Sequence, residues 1–247
     1  MKKYLMIFLS LALAVVFSAC NKDDDKGNNK EDDGENNNNT QVYLPSKIIY
    51  DGETTTFTYD NQRRVTEQKN SYTTNTYTYN SDGTLAQVVK LNEDPLSSRT
   101  ITYEYKENAV ERIATGSKST YEYVLKDNRI VANNSDLDSY SYTYDAVGNM
   151  IKQTKQTKVG YKTYENTYEY TYDNKNGVFK NVNIPQWYKI TELYQWSDIA
   201  VVNNALTDGD LGWKLEYVYN ENGYPTSCKM YEEGSLRKTM TIEYTLK

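Results

Sequence analysis

The chain has 247 residues and a net charge of −6, with 34 Asp and Glu against 28 Lys and Arg. An acidic protein gains nothing from counterion release on nucleic acid and is repelled by anionic lipid surfaces, which argues against DNA or RNA as a partner. There are 26 Tyr, 4 Phe and no His, so imidazole acid–base chemistry, His-dependent triads and the commonest metal ligand are absent, and a carboxylate pair is the hydrolytic route left.

Residues 1–20 read MKKYLMIFLSLALAVVFSAC. Two lysines, an apolar run from Tyr4 to Phe17 and small residues before Cys20 are the parts of a secretory signal, expected over residues 1–19. The run is shorter than the roughly 20 apolar residues a membrane span needs. Cys20 after Ser18-Ala19 resembles the lipobox of bacterial lipoproteins, with Phe17 where Leu is commoner. That resemblance implies cleavage before Cys20 and lipid attachment to it, a membrane anchor without a span. Cleavage removes Lys2 and Lys3 and leaves 26 basic against 34 acidic residues, net −8.

Residues 20–43 are expected to form an acidic, disordered tether. The stretch NKDDDKGNNKEDDGENNNNT, residues 21–40, has no apolar residue and cannot offset chain entropy by burial. Lys22-Asp23-Asp24-Asp25 resembles the surface-export signal of Bacteroidetes lipoproteins. The resemblance implies an outer-membrane lipoprotein whose domain faces the cell exterior.

Residues 44–247 are expected to form one domain of repeats. The stretch YSYTYDAVGNMIKQTK, Tyr140 to Lys155, shows the unit: rings at every second position, a turn, and a polar return. Alternation with period two marks a half-buried strand. Related strands are FTYD ending at Asp60, YTYN at Asn80, ITYEYK at Lys106, YEYVLK at Lys126, YEYTYD at Asp173 and LEYVYN at Asn220. The last ring or apolar residue before each turn falls at 59, 79, 105, 125, 144, 172 and 219, with gaps of 20, 26, 20, 19, 28 and 47. A spacing near 20 fits one hairpin per repeat.

The turns Asn80–Gly83, Asp145–Gly148 and Asn220–Gly223 place Asp or Asn first and Gly fourth. That is a type I turn signature, so the repeated acid is read as a turn former rather than a catalytic group. Lys106–Asn108 and Lys126–Asn128 are shorter and lack Gly. Along the return strands, Leu85, Val89 and Leu91 fall on one side and Val88 on the other, while Arg112-Ile113-Ala114 and Met150-Ile151 place apolar residues on both, so register is not assignable. The predicted fold is all-β: a long antiparallel up-and-down meander of about 14–16 strands, curled or barrel-like because an open sheet of that size exceeds the usual limit. A charged face opposite the Tyr face argues against a membrane-spanning barrel.

A partly helical insert is expected near residues 184–206. Trp187, Ile190, Leu193 and Tyr194 have helical spacing, and Pro185 suits a first turn. The insert is read as an apolar plug over the Tyr face; Trp187, Trp196 and Trp213 are also the candidate ligand-binding residues, since aromatic faces stack on sugars. Asp136-Leu137-Asp138 and Asp208-Gly209-Asp210 lack the full ligand set of a calcium loop. Cys228 has no activating base and is read as a small buried residue. No catalytic residue, metal or cofactor site is expected.

The Tyr-Asp units with a following Gly, as in YTYDAVGN at 142–149, resemble the YD repeats of Rhs-type proteins and teneurins, which build β shells. The lipobox, the acidic tether, the FTYD and YTYN hairpins, NNAL at Asn203–Leu206 and YNENGYPTS near the end resemble Bacteroidetes lipoproteins with a domain of unknown function described as porin-like in fold. The resemblances imply a fold and an address and supply no catalytic residues. The expected function is a non-catalytic surface domain that binds a glycan or peptide; the alternative is an accessory subunit pairing with another surface protein.

Overall fold

The hairpin turns follow from their first residue. In the computed structural model, which describes residues 41–117, 121–194, 200–209 and 212–247, the Asp145 carboxylate accepts the backbone N–H groups of Val147, Gly148 and Asn149 at 2.7–3.0 Å. Gly148 takes φ +104°, a conformation L side chains rarely adopt. Asn220 accepts from Asn222 and Tyr224 in the same way. Burial pushes the Asp145 carboxyl upward, but the bonds from Asn149, Gly148 and Val147 outweigh it and hold the group below the usual carboxylate range.

These turns connect sixteen strands among the described residues. They are β1 (Tyr43–Tyr50), β2 (Glu53–Tyr59), β3 (Val65–Lys69), β4 (Thr73–Tyr79), β5 (Leu85–Asn92), β6 (Arg99–Lys106), β7 (Ala109–Ala114) and β8 (Tyr121–Lys126). There follow β9 (Arg129–Asn134), β10 (Asp138–Tyr144), β11 (Met150–Val159), β12 (Lys162–Glu169), β13 (Thr207–Asp208), β14 (Trp213–Tyr219), β15 (Pro225–Glu232) and β16 (Ser235–Leu246). One helix, α1 (Gln186–Thr191), lies between β12 and β13. β1 begins at Tyr43, and Val42 exchanges backbone hydrogen bonds with Lys247, so ordered structure starts within the last residues assigned to the tether. Cys20, Lys22–Asp25 and Trp196 lie outside the described residues.

The sheet is an antiparallel meander in the order β12 down to β1, then β16, β15, β14 and β13. The first and last long strands pair, with Ile48 opposite Ile242. The edges β12 and β13 approach at one end. Past β12, Tyr172 forms a lone antiparallel bridge with Ala205, and Leu206 donates to the Thr171 carbonyl at 2.7 Å. A Cβ on Gly209 would stand 2.6 Å from the Glu169 backbone, which is why glycine occupies this seam. Asp173 binds the buried Asn204 amide at 3.2 Å and accepts the Tyr219 hydroxyl. This acid therefore ties the seam as well as opening a turn.

The register of the return strands is set by β-bulges. At Thr58/Tyr59, Thr78/Tyr79, Val124/Leu125, Thr143/Tyr144 and Val218/Tyr219 an extra residue shifts the ladder. The shift puts Leu85 and Val88, three residues apart, both inside at 0% exposure, and leaves Leu91 exposed. The expectation that Leu85, Val89 and Leu91 share a face is corrected by that inserted residue. Between β6 and β7 the ladder has no bulge, and Val110, Arg112 and Ala114 alternate on one face.

Each bulge also explains a tyrosine. The last ring of the next outgoing strand donates its hydroxyl to the carbonyl of the bulged residue: Tyr59 to Pro45 at 2.7 Å, Tyr79 to Val65 at 2.8 Å, Tyr105 to Leu85 at 3.1 Å. Tyr144 to Ile130, Tyr172 to Met150 and Tyr244 to Pro225 repeat the contact at 2.7–2.9 Å. The equivalent position facing the unbulged strand β7 is Leu125, which has no hydroxyl. The rings bury area while the phenol satisfies a carbonyl that the ladder cannot reach.

The inner face packs on the segment between β12 and β13. Pro185 precedes α1, and Trp187, Tyr188, Lys189 and Ile190 are all buried. Trp187 is 2% exposed and stacks on Tyr123 with centroids 4.8 Å apart; Tyr188 meets Tyr77 and Tyr103 edge-on. Phe179 lies edge-on to Phe57 at 6.0 Å. The gap between Phe179, Ala200 and the strand residues Ile48, Leu215 and Met240 holds about 10 Å³, so this side of the plug is filled. Outside, Glu104, Glu111 and Glu122 stand directly opposite one another across β6, β7 and β8. Carboxylates in that position require water, which excludes a hydrocarbon-facing band there.

Candidate functional site

The interior is graded along each strand. Outgoing strands place rings next to the turn and polar groups at the start: Asn75 before Tyr77 and Tyr79 on β4, Arg99 before Ile101, Tyr103 and Tyr105 on β6. The rings close on the plug. The polar starts, with the far ends of the return strands, form a bowl above it.

The larger part of the bowl encloses about 550 Å³, lined by Lys90, Arg99, Arg112, Ala114, Ser117, Tyr121, Tyr123, Asn133, Thr191 and Glu192. A neighbouring cavity of about 230 Å³ is lined by Tyr50, Glu53, Thr55, Gln68, Asn70, Asn75, Glu192, Leu193 and Tyr194. Glu192 lies on the floor of both, immediately after α1. The larger volume is within the range of small-molecule pockets, about 300–1,000 Å³.

Glu192 organises the floor. Its carboxylate accepts from Arg112 Nε at 2.9 Å, from the Tyr123 hydroxyl and, more weakly, from the Tyr103 hydroxyl at 3.4 Å; Lys90 Nζ stands 4.0 Å away. The Arg112 guanidinium lies 5.4 Å from the centre of the Tyr121 ring. Burial followed by the Glu192 charge raises the Tyr103 and Tyr123 phenols well above the ordinary value. Burial lowers the Lys90 ammonium, and Glu192 offsets only part of that. Burial also opposes charge on Arg112, but Glu192 and the surrounding phenols reverse the balance and raise its value. Asn133 accepts the Tyr142 hydroxyl at 3.1 Å, which leaves its NH₂ to donate elsewhere.

Of the sequence candidates, Trp187 lies inside the plug with its ring against Tyr123 and Tyr103, and Trp213 begins β14, half-buried. The two are not brought together at the bowl. Cys228 is 1% exposed, and burial pushes its thiol up to about 12. Asp138 is held by Thr157 at 2.6 Å and Lys155 at 3.8 Å. Sequence reasoning missed Lys90, Arg99, Arg112 and Glu192. The available signal was the inward position ahead of each ring pair, where Asn75, Arg99 and Asp138 interrupt the aromatic run; Lys90 was hidden by the bulge.

These features define an all-β repeat protein, a curled meander plugged at its turn end and polar at the other. A family model described as the teneurin YD-shell matches residues 35–128. No curated protein matches the chain. It is similar to the solved structure of a porin-like protein from Bacteroides uniformis ATCC 8492, at 18% identity and TM-score 0.37, over 82% of this chain and 98% of that one. It is also similar to a porin-like protein from Bacteroides vulgatus ATCC 8482, at 11% identity and TM-score 0.45, over 82% and 99%. The YD-repeat resemblance read from the motifs is thus matched by that family model over residues 35–128.

Proposed function

We propose that the chain is a lipid-anchored, outer-membrane surface protein whose β domain is a non-catalytic binding module. Cys20 carries the lipid, the acidic tether links it to the domain, the domain stands on the cell exterior, and the bowl takes a glycan or peptide. The observation that carries the binding reading is the polar cavity of about 550 Å³ above the plug, with Arg99 and Ser117 exposed at its rim. The lipobox and the Lys22–Asp25 run support the address. A binding role rather than hydrolysis is supported by Glu192, whose carboxylate is already engaged by Arg112 and two phenols.

A panel of oligosaccharides and peptides, screened by thermal shift and calorimetry against the full-length protein and Ser117→Trp, tests it. Ser117 is exposed and lines the larger cavity, so the indole obstructs entry. The reading expects a ligand whose binding Ser117→Trp abolishes. Ligands that bind both proteins equally overturn the bowl as the site. The accessory-subunit reading draws on a different feature: β12 is exposed along most of its length, with Tyr164 on the strand and Tyr161 just before it prominent. A surface protein that co-purifies and is lost on β12 substitution favours it.

A further inference from the structure

We propose that the bowl receives an acidic oligosaccharide, with a carboxylate or sulfate group seated among Lys90, Arg99 and Arg112. The inference rests on the bowl being the binding site proposed above and adds the class of ligand. Lys90 and Arg99 stand directly opposite each other across the β5–β6 ladder. Like charges in that position are destabilising, so the fold carries them against its own stability. Both side chains line the larger cavity. Among the described residues the acid lining that cavity is Glu192, and it is already occupied by Arg112 and the Tyr103 and Tyr123 hydroxyls. Lys90 reaches it at 4.0 Å, and Arg99 has no ion pair among the described residues. Three cations against one engaged carboxylate leave an uncompensated positive wall in a recessed site. Field lines focus there, and a guanidinium fork fits a planar carboxylate or a sulfate edge.

The rest of the lining selects among anions. Asn133, Ser117 and Thr191 surround the cationic wall, and Gln68, Asn70 and Asn75, with Glu53, line the adjoining cavity that shares Glu192, which places the charged group in the larger cavity and a neutral ring in the smaller one. Amides and hydroxyls at that density match the hydroxyls of sugar rings. Ala114 is the one aliphatic side chain in the larger lining among the described residues; a peptide ligand would call for apolar side-chain pockets or an open strand edge. The neighbouring polar cavity gives room for a second ring beside the charged one.

Calorimetric titration of the full-length protein tests the proposal with three probes: trigalacturonate, a sulfated heparin-derived disaccharide, and neutral maltotriose. At least one acidic probe is expected to bind about tenfold or more tighter than maltotriose, an increment matching one charge-assisted pair. Arg99→Gln and Lys90→Gln are expected to weaken that probe by about tenfold each and to reduce its salt dependence, with a melting temperature no lower than that of the wild type. Preference for one acidic probe distinguishes a uronate from a sulfate ligand. Maltotriose binding as tightly as both acidic probes, or acidic binding indifferent to both substitutions, overturns the proposal. Failure of both acidic probes to bind overturns it as well. In each case the bowl itself stands if Ser117→Trp still abolishes binding of some other panel member, so the two failures are distinguishable.

Discussion

The hydroxyl of a tyrosine is the smallest unit that decides this fold. Six ring hydroxyls reach carbonyls at or beside bulges, from Tyr59 on Pro45 to Tyr244 on Pro225. Phenylalanine would bury the same ring and leave the carbonyl unpaired, which accounts for Tyr rather than Phe at these six of the 26 Tyr positions. Tyr79→Phe is expected to destabilise by about 1–3 kcal/mol, the cost of an unsatisfied buried acceptor, as read from denaturant unfolding. Tyr161→Phe, at a ring fully exposed to solvent, is expected to change nothing measurable. Equal effects at the two sites would remove the bulge explanation.

At the scale of elements, the hairpins and the insert differ in how openly the sequence announces them. Period-two rings and the Asp/Asn-to-Gly turns specify strand, turn and inward face within a dozen residues, because each is a local backbone requirement. The return strands do not, because a bulge moves Val88 to the face of Leu85 against the simple alternation. The insert is legible as a plug from the spacing of Trp187, Ile190 and Leu193, though α1 covers only Gln186–Thr191. So short a helix is held by the rings around it rather than by its own propensity. Trp187→Ala is therefore expected to cost about 3–5 kcal/mol of stability. The loss should also displace Glu192 one turn away, so weakened binding at the bowl should accompany the lower melting temperature.

For the whole molecule, enclosing a plug within a ring of phenols gives stability a particular pH profile. Burial lowers the Lys189 ammonium to about 8, with its Nζ donating to the Phe179 carbonyl at 3.1 Å. Its folded value lies below the unfolded one of about 10.4, so between these the unfolded chain binds more protons and stability rises with pH. Tyrosines behave oppositely. Burial raises Tyr105 and Tyr144 to about 12, and above the unfolded value of about 10 the folded chain holds more protons, so stability falls as pH rises further. Melting temperature is expected to climb from pH ~8 toward pH ~9.5 and decline above pH ~10. Lys189→Met should flatten the climb, with Lys90 supplying what remains, and leave the decline intact. A wild-type profile falling monotonically from neutral pH would contradict this account.

The sequence by itself determined the class of fold, the hairpin repeat, the turn chemistry and the presence of a plug, since all of these are written in local periodicity and in residues with special backbone preferences. Only the tertiary structure decided that the segments beside the two edge strands bridge at Tyr172 and Ala205, which return-strand residues face inward, and that Lys90, Arg99, Arg112 and Glu192 share one cavity. Those residues come from three neighbouring strands and from the chain beyond α1, as many as 102 positions apart in the sequence between Lys90 and Glu192. Side chains that distant meet only once the wall has curled around its plug, and no periodicity along the chain encodes that meeting.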